Sequence, residues 1–459
     1  MAVTSSAPIG RQRAGDLTTG GITGTLLRFT IPMIAGSLLQ QCYNIADTII
    51  VGRFIGAEAL AAVGSSYTLM VFLTSILIGL AMGSGTIFSL RFGAGDSDGL
   101  KKSITASFIL IGGISVLLIA AAFATLDPVL EWLQVPADVI DPMRDYLWII
   151  YWGIGFTFLY NYFAALLRAV GDSVSPLLWL ACAAVLNIGL DLLFILRFNW
   201  GIEGAAAATV ISQAVSGIGL GIHTIVTRHG MLPSRQECRV DWKVLKTIAA
   251  FSSLTCIQQS VMNLGILAVQ GLVNSFGTVI MAAFAAAVKI DSFAYMPVQE
   301  FGNAFSTFIA QNYGAGRKDR IRQGTVRAVL IMSAFSIAVS AIVFIGAVPL
   351  MQVFVSGRET EIIRAGAEYL KIEGAFYIGI GLLFILYGYY RAVCRPDMSV
   401  ILTVLSLGTR VALSYILAPI PGIGETGIWW SIPAGWALAD LIGIIYYFHL
   451  RHRQAASAE

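Results

Sequence analysis

Apolar stretches of about twenty residues recur along this whole sequence, each enough for a helix to cross ~30 Å of hydrocarbon. Inside a bilayer the backbone has no water to bond, so only helices and closed barrels span it. Barrel strands would read as segments of about ten residues with alternating polarity, and that pattern is absent. Of the 459 residues, 57% are hydrophobic and 12% are charged. That is half of the ~25% charge of a soluble domain. The chain is expected to be an all-α polytopic membrane protein.

Twelve spans are predicted, near 26–51, 58–88, 103–126, 143–167, 174–197, 202–228, 245–275, 277–310, 325–355, 365–391, 399–419 and 427–450. Lys and Arg in short loops mark the cytoplasmic side. Arg28, Arg91, Lys101, Lys102, Arg168, Arg228, Arg317, Lys318, Arg320 and Arg451 fall on one side, with others. Arg53, Arg144, Arg197, Arg358 and Arg364 fall on the opposite one. This bias places both termini and the 229–244 loop in the cytoplasm of a cell (inner, cytoplasmic) membrane protein with many passes. Residues 1–20 are polar, lack an apolar signal core, and are expected to be a disordered cytoplasmic tail. The net charge of +3 is too small to suggest a nucleic-acid partner, and none of the five cysteines forms a CxxC pair.

The stretch 229–244 reads as a linker between two sets of six spans: an N-lobe over 21–228 and a C-lobe over 245–453. An internal repeat supports the division. RFGAGDSDGLKK (91–102) matches NYGAGRKDRIRQ (312–323) at an offset of 221, and LRAVGDSVSP (167–176) matches YRAVCRPDMS (390–399) at 223. An even number of spans per lobe makes the repeat parallel, about an axis along the membrane normal. Two such lobes suggest a transporter with its substrate between them.

Polar residues inside the spans then carry the chemistry. A carboxylate in a spanning helix costs roughly 2.5–3.5 kcal/mol, so Asp47 asks for a functional reason. Gln40, Asn44 and Asp47 follow i, i+4, i+7 spacing and share one helix face, with Gln41 turned about 100° away. Pro32, in the same span, removes a backbone donor and is read as a hinge. Asn187 and Asp191, four apart, share a face of the fifth span, and Thr209 lies among small residues of the sixth. Tyr146 and Asn161 are the polar candidates of the fourth. Two carboxylates, an amide and a hydroxyl suit a hard cation, and the same groups can carry a proton. In the repeat, Asp47 maps to 265–268, Asn187 to Arg410 and Asp191 to Ser414. The acidic pair is therefore expected only in the N-lobe. The C-lobe offers Gln258, Gln259, Lys289, Asp291, Glu300, Glu373 and Arg410. Of these, Gln258, Gln259, Glu300 and Arg410, with Gln40, Asn44, Tyr146 and Asn161, are taken as cavity-lining. Lys289, Glu300 and Arg410 read equally as structural ion pairs.

The sequence resembles the multidrug and toxic compound extrusion (MATE) transporters, nearest the DinF-like bacterial branch. The resemblance covers residues 20–450 and rests on YNIADTIIVGRFIGAEALAAVG (43–64), RFGAGD (91–96), LRAVGD (167–172), LNIGLD (186–191), GIEGAA (201–206) and QNYGAG (311–316). It implies twelve helices in two lobes around a central cavity. It also implies an N-lobe cation or proton site at Asp47, Asn187, Asp191 and Thr209, which act as metal ligands only if Na+ is the coupling ion. Span seven has Gln258 and Gln259 in place of the acid that some members carry in the C-lobe.

These readings point to a monomeric secondary exporter, with no cofactor beyond the coupling ion. It would exchange organic cations or other amphiphiles for H+ or Na+ as the lobes rock. A flippase for a lipid-linked precursor would want a basic cavity and often more spans, and a receptor or scaffold would not need Asp47 and Asp191 together. No nucleophile–base pair or Walker motif points to an enzyme.

Overall fold

The computed structural model describes residues 16–132, 136–234, 237 and 240–456. Its helices are α1 (Ile22–Phe54), α2 (Ala57–Gly93), α3 (Ser97–Ala124), α4 (Leu126–Trp132), α5 (Ala137–Ile150), α6 (Gly153–Ala169) and α7 (Val174–Leu192). They continue with α8 (Gly201–Thr227), α9 (Trp242–Asn274), α10 (Thr278–Gly314), α11 (Lys318–Phe354), α12 (Thr360–Gly374), α13 (Tyr377–Ala392), α14 (Pro396–Leu417) and α15 (Glu425–Ala456). Ten are long and apolar enough to cross a membrane, and two bent pairs, α5–α6 and α12–α13, bring the number to twelve. Six belong to each half, and each of the twelve expected stretches falls on one of them.

The repeated sequence motifs are repeated structures. Both GAG motifs end a long helix. Gly95 (φ +70°) and Gly316 (φ +68°) adopt the left-handed conformation, and the next amide reaches back to Arg91 O and Asn312 O respectively, a glycine C-terminal cap. Asp96 then caps α3 by accepting from the Gly99 amide at 2.8 Å. LRAVGD and YRAVCR likewise close α6 and α13, with Gly171 at φ +83° and Cys394, unusually for a side-chain-bearing residue, at φ +61°. The bent spans also correspond. α5 and α6 meet at 46° and α12 and α13 at 51°. Sequence periodicity does not show these breaks, because both sides of each keep an apolar face.

The lobes meet on the side that carries the 229–244 linker. A Cβ on Gly93 would lie 2.0 Å from Gln311 O, and one on Gly314 would lie 2.0 Å from Leu90 O. Gly93 pairs with Gly314, and Leu90 with Gln311, at the 221 offset, so this crossing marks the pseudo-two-fold axis. Along α2 and α9, Gly79 packs against the Cys256 backbone and Gly83 against Ser252, with Ser84 Oγ and Ser252 Oγ 3.1 Å apart. Further from the linker, Gly64 on α2 and Gly271 on α9 have nothing within 4 Å of a Cβ position. The close approaches thus gather in the linker-side half.

One expectation needs adjustment here. Residues 1–15 of the expected disordered tail lie outside the described residues, but Asp16–Gly20 is a fixed strap. Leu17 is buried, its amide donates to Gln311 Oε1 at 3.0 Å, and Arg320 donates to the carbonyls of Leu17, Thr19 and Gly20. Helix α1 is continuous through Pro32, the residue read as a hinge, and sharp breaks lie in the fourth and tenth spans.

Candidate functional site

Helices α1, α5, α7 and α8 converge on one polar cluster in the N-lobe. Helix α7 buries Asn187 and Asp191, at 1% and 0% exposure. Directly after Asp191 the helix widens into a π turn, Leu193–Arg197, a departure often found at functional sites. From α1, the Asp47 carboxyl neighbours the Asp191 carboxyl, close enough for the two to interact. Helix α8 supplies Thr209, whose Oγ1 accepts from Asn187 Nδ2 at 3.4 Å. Tyr146 of α5 is buried and neighbours both acids. The four residues singled out on α1, α7 and α8 are thus brought together, with Tyr146 beside them.

The cluster is rich in acceptors and poor in donors. Asp47 Oδ1, Asn187 Oδ1 and both oxygens of Asp191 are buried and receive no hydrogen bond. A buried acceptor left unmet costs ~1–3 kcal/mol, more when charged. Two bare carboxylates in so dry a place also repel each other. A proton shared between the acids, or a small hard cation held by their oxygens, relieves both penalties. Among the described residues, no three His, Cys, Asp or Glu gather as a metal centre, so a cation here would rely on the two acids plus amide and hydroxyl oxygens. Sequence reasoning missed Tyr43, which neighbours Asp47 and Asp191. The signal was available, since Tyr43 sits one helical turn before Asp47.

Other assigned residues lie elsewhere. Asn44 donates to Gln41 Oε1 at 3.4 Å, so it turns to the neighbour that had been placed on another face, and Gln40 is exposed. Asn161 Nδ2 donates to Thr157 O of its own helix at 2.9 Å, away from the acids. Gln258 is buried and Gln259 half-buried on α9. Glu300 of α10 lies near Arg168 of the opposite lobe, Arg391, Ser37 and Asn303. Arg391 is itself buried, with Nη2 donating to Asn303 Oδ1 at 3.0 Å. Asp172, in the turn after Arg168, meets Arg228 at 3.5 Å and Ser175 at 2.8 Å.

The expectation that paired acids occur only in the N-lobe holds for the repeat register and fails in space. Asp291 of α10, Glu373 of α12 and Arg410 of α14 lie within each other's fields in the C-lobe. Tyr369 and Tyr377 stand beside them. Lys289 is exposed. A separate groove of about 550 Å³, lined by Arg364, Glu368, Lys371 and Trp430 among others, touches neither cluster.

The MatE family model matches residues 32–193 and again 255–416, an offset of 223 that repeats the internal one. The chain is 30% identical to the probable multidrug resistance protein YpnP of Bacillus subtilis, over 95% of this chain and 97% of that protein. It is 26% identical to an FAD transporter of Shewanella oneidensis, over 92% and 89%. The fold superposes on a solved MATE transporter of the MOP superfamily in its outward-facing conformation with a TM-score of 0.89, at 23% identity over 96% of this chain and 97% of the other.

Proposed function

The chain belongs to the MatE family of multi-pass membrane transporters, and from that premise we propose that it is an ion-coupled exporter of amphiphilic small molecules, organic cations among them. The observation that carries this reading is the Asp47–Asp191 pair, closed in by Asn187, Thr209 and Tyr146, with four buried oxygens that receive no hydrogen bond. Such a site takes up H+ or Na+ and gives it back when its surroundings change. The two lobes supply that change. Closed at the linker side, they would expose the cluster to the outside, with both termini in the cytoplasm. Cation binding then favours one lobe arrangement and substrate the other, each by its difference in affinity for the two states. The paired acids of both lobes speak against a lipid-precursor flippase, whose cavity would be expected to be basic. Relatives named for multidrug resistance and for FAD transport fit a broad substrate class of flat or amphiphilic molecules.

The test is efflux of a fluorescent lipophilic cation from proteoliposomes under a pH gradient or a Na+ gradient, applied separately. One of the two should drive export, and Asp47→Asn should abolish it at equal insertion. Adding Ala268→Asp in the second half should not restore it. Undiminished efflux by Asp47→Asn would overturn the mechanism.

A further inference from the structure

The C-lobe cluster occupies the place that repeat symmetry assigns to the N-lobe site. Two residues of the N-lobe cluster, Tyr146 and Asn187, map at the 223 offset to Tyr369 and Arg410. Both of these belong to the C-lobe cluster. The inter-helix tie is kept as well. Asn187 bonds Thr209 between the fifth and sixth spans, and Ser414, at the position of Asp191, lies 2.7 Å from Ser431 between the eleventh and twelfth.

The charges differ in one respect. Each cluster holds two carboxyl groups, Asp47 and Asp191 in one, Asp291 and Glu373 in the other. The N-lobe has Asn187 where the C-lobe has the Arg410 guanidinium. The remaining ionisable groups at the C-lobe cluster are Tyr295, Tyr369 and Tyr377. Glu373 is 3% exposed, and Asp291 Oδ1, Glu373 Oε2 and Arg410 Nε are buried without a hydrogen-bond partner. The arginine therefore acts on the two acids through its charge and not as a closed ion pair. An arginine stays protonated at any physiological pH, so its charge cannot be released in a transport cycle.

We infer that Arg410 is a resident cation, filling in the C-lobe the place that an exchangeable H+ or Na+ takes in the N-lobe, so that each chain keeps a single exchange site and Arg410 sets the coupling stoichiometry. The inference rests on the N-lobe reading above. It also gives a reason for an arginine inside a spanning helix, where its cost demands one.

The test counts cations bound by the purified full-length protein in detergent, using radiolabelled Na+ and, separately, proton uptake after a pH jump. Arg410→Asn should bind about one cation per chain more than the unaltered protein in at least one of these measurements. That gain should persist on an Asp47→Asn background, vanish on adding Glu373→Gln, and be absent in Arg410→Lys. In the unaltered protein, Glu373→Gln should leave both the Na+ count and the proton uptake as they were. No gain in folded Arg410→Asn, a gain in Arg410→Lys, or Na+ or proton uptake lost from the unaltered protein on Glu373→Gln would each overturn the inference. If Arg410→Asn does not fold, the Glu373→Gln arm still decides. A failure of the N-lobe reading shows separately, as an Asp47→Asn count equal to that of the unaltered protein.

Discussion

The contact between Gly93 and Gly314 makes the balance between the two lobe arrangements measurable. A methyl group on Gly93 would sit 2.0 Å from Gln311 O, and one on Gly314 would sit 2.0 Å from Leu90 O. Ordinary van der Waals contact begins near 3.4 Å, so each helix must withdraw by over an ångström. The opposing atoms are backbone, and no side chain can swing aside. Overpacking of this kind costs ~1–3 kcal/mol, and here the cost falls only on the arrangement closed at the linker side. At tenfold per ~1.4 kcal/mol, Gly93→Ala should lower the closed population relative to the open one by about 5- to 150-fold. Gly314→Ala should act alike, because the pseudo-two-fold makes the two contacts equivalent. The assay is a spin-label distance between Lys102→Cys and Gln323→Cys, exposed repeat partners at the starts of α3 and α11, in a background without the native cysteines. The distance distribution should gain a longer component in either alanine variant. An unchanged distribution in folded protein would refute the claim that this glycine crossing sets the linker-side closure.

Two further expectations concern the linker side. Arg320→Ala removes the donors to three strap carbonyls, so amide exchange at Thr18–Gly20 should rise by about tenfold or more, at roughly 1–1.5 kcal/mol per hydrogen bond lost, while α10 and α11 stay protected. Glu237 accepts from the Ser234 amide at 2.8 Å and from Lys101 Nζ at 3.0 Å, and these partners, the amide first, hold its carboxyl down at about 2 against an ordinary 4.5. A lowered carboxyl stabilises the folded loop above its ordinary pKa and loses that effect as pH falls from there through about 2. Glu237→Gln should therefore speed proteolytic nicking of the 229–244 linker at neutral pH, with the difference shrinking below pH 4.5 when followed by an acid-stable protease.

The membrane class, the span positions and the repeat were legible because they depend on quantities that a sequence carries along its length. Hydropathy over twenty residues and a recurring motif need no knowledge of which helix touches which. The face shared by Asn187 and Asp191 was legible for the same reason, since four residues make about one turn. What failed was the choice between neighbours. Asn44 bonds Gln41, three residues back, where the spacing pointed to Gln40, and both spacings are adjacent on a helix. Asn161 turned to its own backbone, an option open to any asparagine in a helix. The C-lobe cluster was hidden for a deeper reason. Its acids come from the eighth and tenth spans and those of the N-lobe from the first and fifth, so no residue-by-residue register aligns them. Only the packing shows that they meet beside Arg410.

The same logic reaches the contact between the lobes. Arg168 and Arg391 are repeat partners at the 223 offset, each in the last turn of its helix. Strict symmetry would leave two cations near the axis with nothing between them. The relief comes from one side alone. Glu300 stands near both, and its own repeat partner at the 221 offset is Gly79, pressed against the Cys256 backbone. One copy of the position is thus a glycine that lets α2 approach α9, and the other is the acid that faces the arginines. Both choices work only while the lobes are closed on the linker side, because opening there removes the close approach at Gly79 and parts Glu300 from Arg168. A backbone repeated twice carries at this position two different side chains that favour the same state. Divergence within the repeat, more than the repeat itself, then favours closure on the linker side.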